Sequence, residues 1–141
     1  MSVTVTKNFD LNKINLDLTK ELNLAGQIIR DDHFKRLERG QGVDGPMIPS
    51  KKKSGKTLVE TGKMRKLIID KATKQNQEVE IYPGRKQTYP GTDVTMSDVG
   101  GFHQSGAGNL PVRKWFGITK KAEARIVKMM ELEIEREIKR A

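Results

Sequence analysis

Residues 16–39 read LDLTKELNLAGQIIRDDHFKRLER, and their spacing decides what the rest of the chain is built around. Leu18, Leu22, Ala25 and Ile29 recur at three- and four-residue steps, with Ile28 and Leu37 near the same face. That period predicts an amphipathic helix over 16–39 with one face turned to a core. Asp17 stands early, where the helix dipole favours a carboxylate, and Lys35, Arg36 and Arg39 stand late, where it favours cations. Gly40 is a natural stop. Gly26, inside the run, weakens a helix by about 1 kcal/mol relative to Ala and marks a kink or a close approach. His33 lies in RDDHFKR, whose charges suggest an exposed helical face.

Toward the start, Val3 and Val5 alternate with polar residues in SVTVT, as in a short strand or an extended arm, and 1–15 are read as an N-terminal arm. Toward the end, GQGVDGPMIPSKKKSGK breaks regular structure, so 40–56 is expected to be a long, mobile loop. Beyond it, Thr57 to Val59 suggest a short strand, and Thr61 and Gly62 a helical turn running through Met64, Leu67 and Ile68. NQEVEIYPG alternates Val79 and Ile81 with charges and ends at Pro83-Gly84, the pattern of a half-buried strand. The following stretch is turn-rich, with a short strand or helical turn around 94–102. A second helix is predicted from Lys120 to Arg140. There Ala122, Ile126, Met130, Ile134 and Ile138 step by four, Val127 widens the stripe, and Thr119 is placed as N-cap. The four-residue steps drift from a heptad, so a long coiled coil is not expected. The class expected is therefore α+β: a long N-terminal helix, a small antiparallel sheet with a long irregular loop, and a long C-terminal helix. Residues 16–141 form its single domain.

The chain has 141 residues, a net charge of +9 from 27 basic and 18 acidic side chains, and no cysteine. Without cysteine there are no disulfides, thiolate metal sites or thiol nucleophiles. No run approaches the ~20 apolar residues of a membrane span, and the start carries no apolar leader. A soluble protein made in a cytoplasm is expected. The positive surplus suits polyanion contact or an acidic protein partner.

Three stretches invite chemistry. KKKSGKT ends like a phosphate loop, but a Walker A needs glycine where Ser50 stands. Lys51, Lys52, Lys53 and Lys56 are thus read as a solvated or polyanion-facing loop. The two histidines, His33 and His103, lack the further ligands and spacing of a zinc site. In GFHQSGAG, Ser105 and Asp98 lie near His103, but a general base needs an oriented nucleophile, and a structural role at a tight turn is favoured. No catalytic, metal or cofactor residues are assigned.

The order of signals is more specific than any one of them. Leu58, Thr61, Gly62 and Met64 form a Leu-x-x-Thr-Gly-x-Met signature. His103, Gln104 and Gly106 form His-Gln-x-Gly. Leu110, Pro111, Arg113, Trp115, Phe116 and Gly117 form a Pro-x-Arg-aromatic-Gly motif. This series resembles the tail completion, or virion morphogenesis, proteins of Mu-like tailed bacteriophages over about residues 16–140. The family often has Pro-Ala-Arg-Pro-Phe-Leu where this chain has PVRKWFG, and an aromatic where Ser105 stands.

The resemblance implies a structural, non-enzymatic virion protein of the neck without cofactors. It would form a homo-oligomeric ring, expected to be sixfold, between a head connector or head-closure protein and a tail terminator or tail tube protein. Packaged DNA would pass the lumen in non-specific contact, with no membrane involved. The expected location is the virion neck or tail, reached from the host cytoplasm during assembly. On this reading Lys51, Lys52, Lys53, Lys56 and Arg113 face DNA or a neighbour. Thr61, Gly62, His103, Gln104, Gly106, Pro111, Trp115, Phe116 and Gly117 are structural. The alternative is a free-standing basic nucleic-acid-binding protein with sequence-independent phosphate contacts.

Overall fold

A computed structural model describes residues 1–6, 16–48, 65–84, 88, 91–108 and 110–140. Among them lie three strands and three helices: β1 (Val3–Thr6), α1 (Thr19–Glu38), β2 (Leu67–Asp70), β3 (Glu78–Pro83), α2 (Met96–Ser105) and α3 (Lys120–Arg140). The class is α+β with a small antiparallel sheet.

The sheet order is β1-β3-β2. The central strand is the one whose alternation is cleanest, with Val79, Ile81 and Pro83 buried between exposed or half-buried neighbours. Val3 pairs with Ile81 and Val5 with Val79, while Leu67 pairs with Pro83 and Ile69 with Ile81. Apolar residues therefore sit opposite apolar residues on one face, and a one-residue slip of either edge strand would turn its apolar set to water. Of the two options for SVTVT the strand is the one that forms, which ties the start of the chain into the sheet. The helical turn expected through Leu67 and Ile68 does not form: both belong to β2. With β3 offering an open edge, their β-branched neighbours pair rather than coil. The remainder of that expectation, at Thr57 to Val59 and at Met64, lies outside the described residues.

The first helix follows a strand and begins at Thr19, later than its periodicity predicts. The reason is local. The Asp17 carboxylate accepts hydrogen bonds from the Thr19 N–H (3.0 Å) and hydroxyl (2.6 Å), and these bonds hold its pKa below the ordinary carboxylate value. Gln77, from the β2–β3 turn, accepts from the Leu18 N–H at 2.7 Å and donates to Thr19 Oγ1 at 2.8 Å. The chain is pinned in a turn before the first helical residue, which does the work of an N-cap. From there Leu22, Ala25, Gly26, Ile29, His33, Arg36 and Leu37 form the buried face. A Cβ at Gly26 would lie 3.1 Å from Val79 Cγ2, so this glycine marks a close approach of helix and sheet.

The turn-rich stretch after β3 contains a ten-residue helix, α2. Its start is a reciprocal box: Asp98 N–H donates to Thr95 Oγ1 (3.1 Å), and Thr95 N–H to Asp98 Oδ2 (3.2 Å). Two orphan donors are satisfied at once. Its end is Gly106 at φ 72°, a left-handed cap that a side chain would strain.

The last helix spans Lys120–Arg140 as predicted, with the Thr119 hydroxyl accepting from the Ala122 N–H at 3.1 Å. Its first turns bury Ala122 and Ile126 beside α1. Met129, Met130 and Ile134 are partly buried against the core, and Val127, Leu132 and Ile138 are exposed. No helix among the described residues is long and apolar enough to cross a membrane.

Candidate functional site

The two motifs at 103–106 and 110–117 are brought together. They form one joint, in which the last turn of α2 grips the extended segment that leads into α3. Gln104 is its buckle. Its Oε1 accepts from the Trp115 N–H (3.0 Å) and the Phe116 N–H (3.2 Å), and its Nε2 donates to the Phe116 carbonyl (2.9 Å). One amide side chain thus satisfies three backbone groups that have no strand partner. The Trp115 N–H has a second acceptor in the Arg113 carbonyl (2.9 Å), so removing Gln104 would cost mainly its bonds to the Phe116 N–H and carbonyl, at about 1–3 kcal/mol for each group left unpaired.

His103 and Arg113 form the second fastening. The His103 carbonyl accepts from the Arg113 N–H at 2.7 Å, and His103 Nδ1 faces Arg113 Nη1 at 2.9 Å. A guanidinium can only donate, so Nδ1 is the acceptor and the ring proton sits on Nε2. Partial burial, with the Arg113 charge as the second cause, lowers the His103 pKa. Both favour the neutral ring. Arg113 Nε also donates to the Ile48 carbonyl at 2.7 Å.

This corrects the expectation that Arg113 faces DNA or a neighbour: the residue is only 5% exposed. Five directional donors make arginine suited to a clasp of this kind, where a planar fork meets carbonyls held at fixed angles. His103 stands in the last turn of a helix rather than in a tight turn, but its contacts are structural. Ser105 Oγ donates to the Gly101 carbonyl and Asp98 caps the start of α2. The Ser/His/Asp set that proximity in sequence suggested is therefore distributed among separate structural tasks.

Trp115 fills the centre of the joint and is fully buried. Its Nε1 donates to the Gly100 carbonyl at 2.8 Å. A Cβ at Gly100 would come within 2.1 Å of the indole, so glycine is what allows α2 to pack this closely against the ring. Phe116 and His33 complete an aromatic cluster, with centroids 5.6 Å and 5.3 Å from Trp115. His33 is 1% exposed, which overturns its placement on an exposed face. The position was legible, since it lies four residues after Ile29 on the stripe. The neighbouring charges are on other faces and should have carried less weight.

Arg36, expected only as a cation favoured late in the helix, is the second buried guanidinium. Its Nη1 donates to the Trp115 carbonyl (3.1 Å) and its Nε bonds Asp32 Oδ2 (2.9 Å). Asp32 also receives the Thr119 hydroxyl at 3.4 Å. A chain of contacts thus runs from Trp115 through Arg36 and Asp32 to the cap of α3. Pro111 and Gly117 flank the joint. Thr61, Gly62, Lys51, Lys52, Lys53 and Lys56 lie outside the described residues.

The start of the 40–56 stretch, expected to be irregular, is built against the same joint. Gln41 bridges Pro46, Val43 N–H donates to the Lys114 carbonyl at 2.7 Å, and Met47 is buried. The glycines that read as flexibility shape a compact turn here.

Behind the joint, α1, the 41–45 turn and the first turns of α3 enclose an open groove of about 650 Å³. Lys35, Arg36, Arg39, Lys121 and Arg125 line it, against Asp31 and Asp32, with Ile28, Val43 and Ala122 as apolar surface. Arg36 Nη2 is buried without a hydrogen-bond partner among the described residues. No group of three or more acidic, histidine or cysteine side chains able to hold a metal occurs among the described residues. Compared with models of known families, with curated proteins and with solved structures, the chain finds no match.

Proposed function

We propose that this chain is a structural virion protein of the neck or tail completion type. It forms a homo-oligomeric ring that joins a phage tail to the head connector and lets DNA pass. The observation that carries the reading is the convergence of its motifs. His103, Gln104, Gly106, Pro111, Arg113, Trp115, Phe116 and Gly117 resemble the family's series, and they fall in one joint that sets the direction of α3. Such a use is architectural: Gln104, Arg113, Arg36 and the Trp115 indole each donate to or accept from backbone groups in it. The partners on this reading are further copies of the chain, a head connector or head-closure protein and a tail terminator or tail tube protein. The basic surplus faces packaged DNA or acidic loops of those neighbours, with no sequence preference and with contacts that weaken as salt rises.

The test is assembly. Purified protein, alone or mixed with a tail terminator, is expected to give closed rings by electron microscopy and a discrete oligomer mass. A chain that stays monomeric and joins neither neighbour in reconstitution overturns the proposal. Tight, salt-sensitive DNA binding by that monomer, lost on replacing Lys51, Lys52 and Lys53 with Glu, would establish the nucleic-acid-binding alternative instead.

A further inference from the structure

We infer that the basic groove between α1 and α3 receives the outer end of α3 from a second copy of this chain, with Glu131 and Glu135 as the carboxylates it binds. This rests on the ring reading and names the two surfaces that would build the ring.

The groove carries an excess of cationic side chains, of which Arg39 and Arg125 are exposed at its rim. A carboxylate is the group that suits an exposed guanidinium fork. The complementary surface is on α3. Four-residue steps advance the apolar stripe by roughly 40° each, so Ile138 has turned away from the core and is 50% exposed, as Val127 is at 47%. Glu131 and Glu135 lie one and two turns beyond Val127 on this outward face, and both are exposed. The face therefore sets carboxylates beside exposed apolar side chains, against a groove in which Lys35, Arg36, Arg39, Lys121 and Arg125 outnumber Asp31 and Asp32.

The occupant cannot be the same molecule's helix. Lys121, Ala122 and Arg125 of α3 form one wall of the groove. Glu135 lies about 15 Å further along the same helix axis, at 1.5 Å per residue, on a face rotated away from that wall. A continuous helix cannot fold back on its own first turns. Two different surfaces on one chain make a head-to-tail contact, and such contacts close into rings or run on as filaments.

The experiment is a charge exchange on the full chain, read by sedimentation velocity and native mass spectrometry. One variant carries Arg39→Glu and Arg125→Glu, at the rim of the groove. The other carries Glu131→Lys and Glu135→Lys, at exposed positions where folding is checked by circular dichroism. Each variant alone is expected to self-associate at least about tenfold more weakly than the parent. An equimolar mixture is expected to recover assembly, because each variant's helix end then meets a groove of opposite charge. If the parent assembles and neither variant weakens it, or the mixture fails to recover, the groove assignment is overturned while the ring reading stands. If the groove variant instead loses binding to double-stranded DNA and still self-associates like the parent, the groove is a phosphate surface and the assignment is overturned. A parent that is monomeric at every concentration removes the ring reading and this contact together.

Discussion

The two halves of the last helix share one sequence pattern and meet different fates. Ala122 and Ile126 are buried against α1, while Ile138, reached by the same four-residue step, is half exposed. The difference has a geometric part, since the stripe winds around the helix as it goes. It also has an anchoring part. The first half leaves a joint in which Gln104, Arg113, Arg36 and Trp115 fix the chain on several sides. The second half runs past the end of that support. The same alkyl groups therefore serve the core at one end and an outward face at the other.

The sharpest way to break this contrast is at the joint. Trp115→Ala is expected to destabilise the fold by about 3–5 kcal/mol, measured by denaturant unfolding, and to loosen α3 at its root. A smaller effect, about 2–4 kcal/mol, is expected from Ile126→Ala. Ile138→Ser, on the same stripe, should leave the unfolding free energy of the isolated chain within about 0.5 kcal/mol of the parent while weakening self-association. Equal destabilisation by Ile126→Ala and Ile138→Ser would show that the halves do not differ as described.

A finer probe is pH. Because burial and Arg113 depress the His103 pKa in the folded state, the unfolded chain takes up this proton first as pH falls. The stabilisation is fully present above the ordinary imidazole value near 6.5. It is lost as pH falls through that value toward the lower folded one. Thermal unfolding followed between pH 7.5 and 5.5 should show this slope, and His103→Asn, which keeps an acceptor for Arg113 without titrating in this range, should flatten it. An unchanged slope in that variant would assign the effect to another group.

How much could be read in advance follows the range of the interactions. The last helix and β3 are written in single-residue periods, and Thr119 and Pro83-Gly84 mark boundaries by local chemistry. The joint was legible as a motif but not as a mechanism. Arg113 looked like a surface cation because its acceptors, Ile48 and His103, are remote or conformationally unfixed in the sequence. His33 was misplaced for a related reason: charged neighbours say little about a residue whose own face is set by helix phase. The helix at Met96–Ser105 was obscured by Gly100 and Gly101, whose low helix propensity is offset by the Thr95–Asp98 box and by the Trp115 ring that requires a glycine there.

The sequence by itself determined an α+β chain with an amphipathic helix at each side of a short β-region, no thiol chemistry and a basic surface, because period and charge are properties of nearest neighbours. Only the tertiary structure decided that Arg36 and Arg113 are buried clasps, that His33 belongs to an aromatic cluster, and that the end of one stripe turns outward. Each of those depends on backbone carbonyls and ring faces supplied from distant parts of the chain, and no local pattern encodes where such partners will stand.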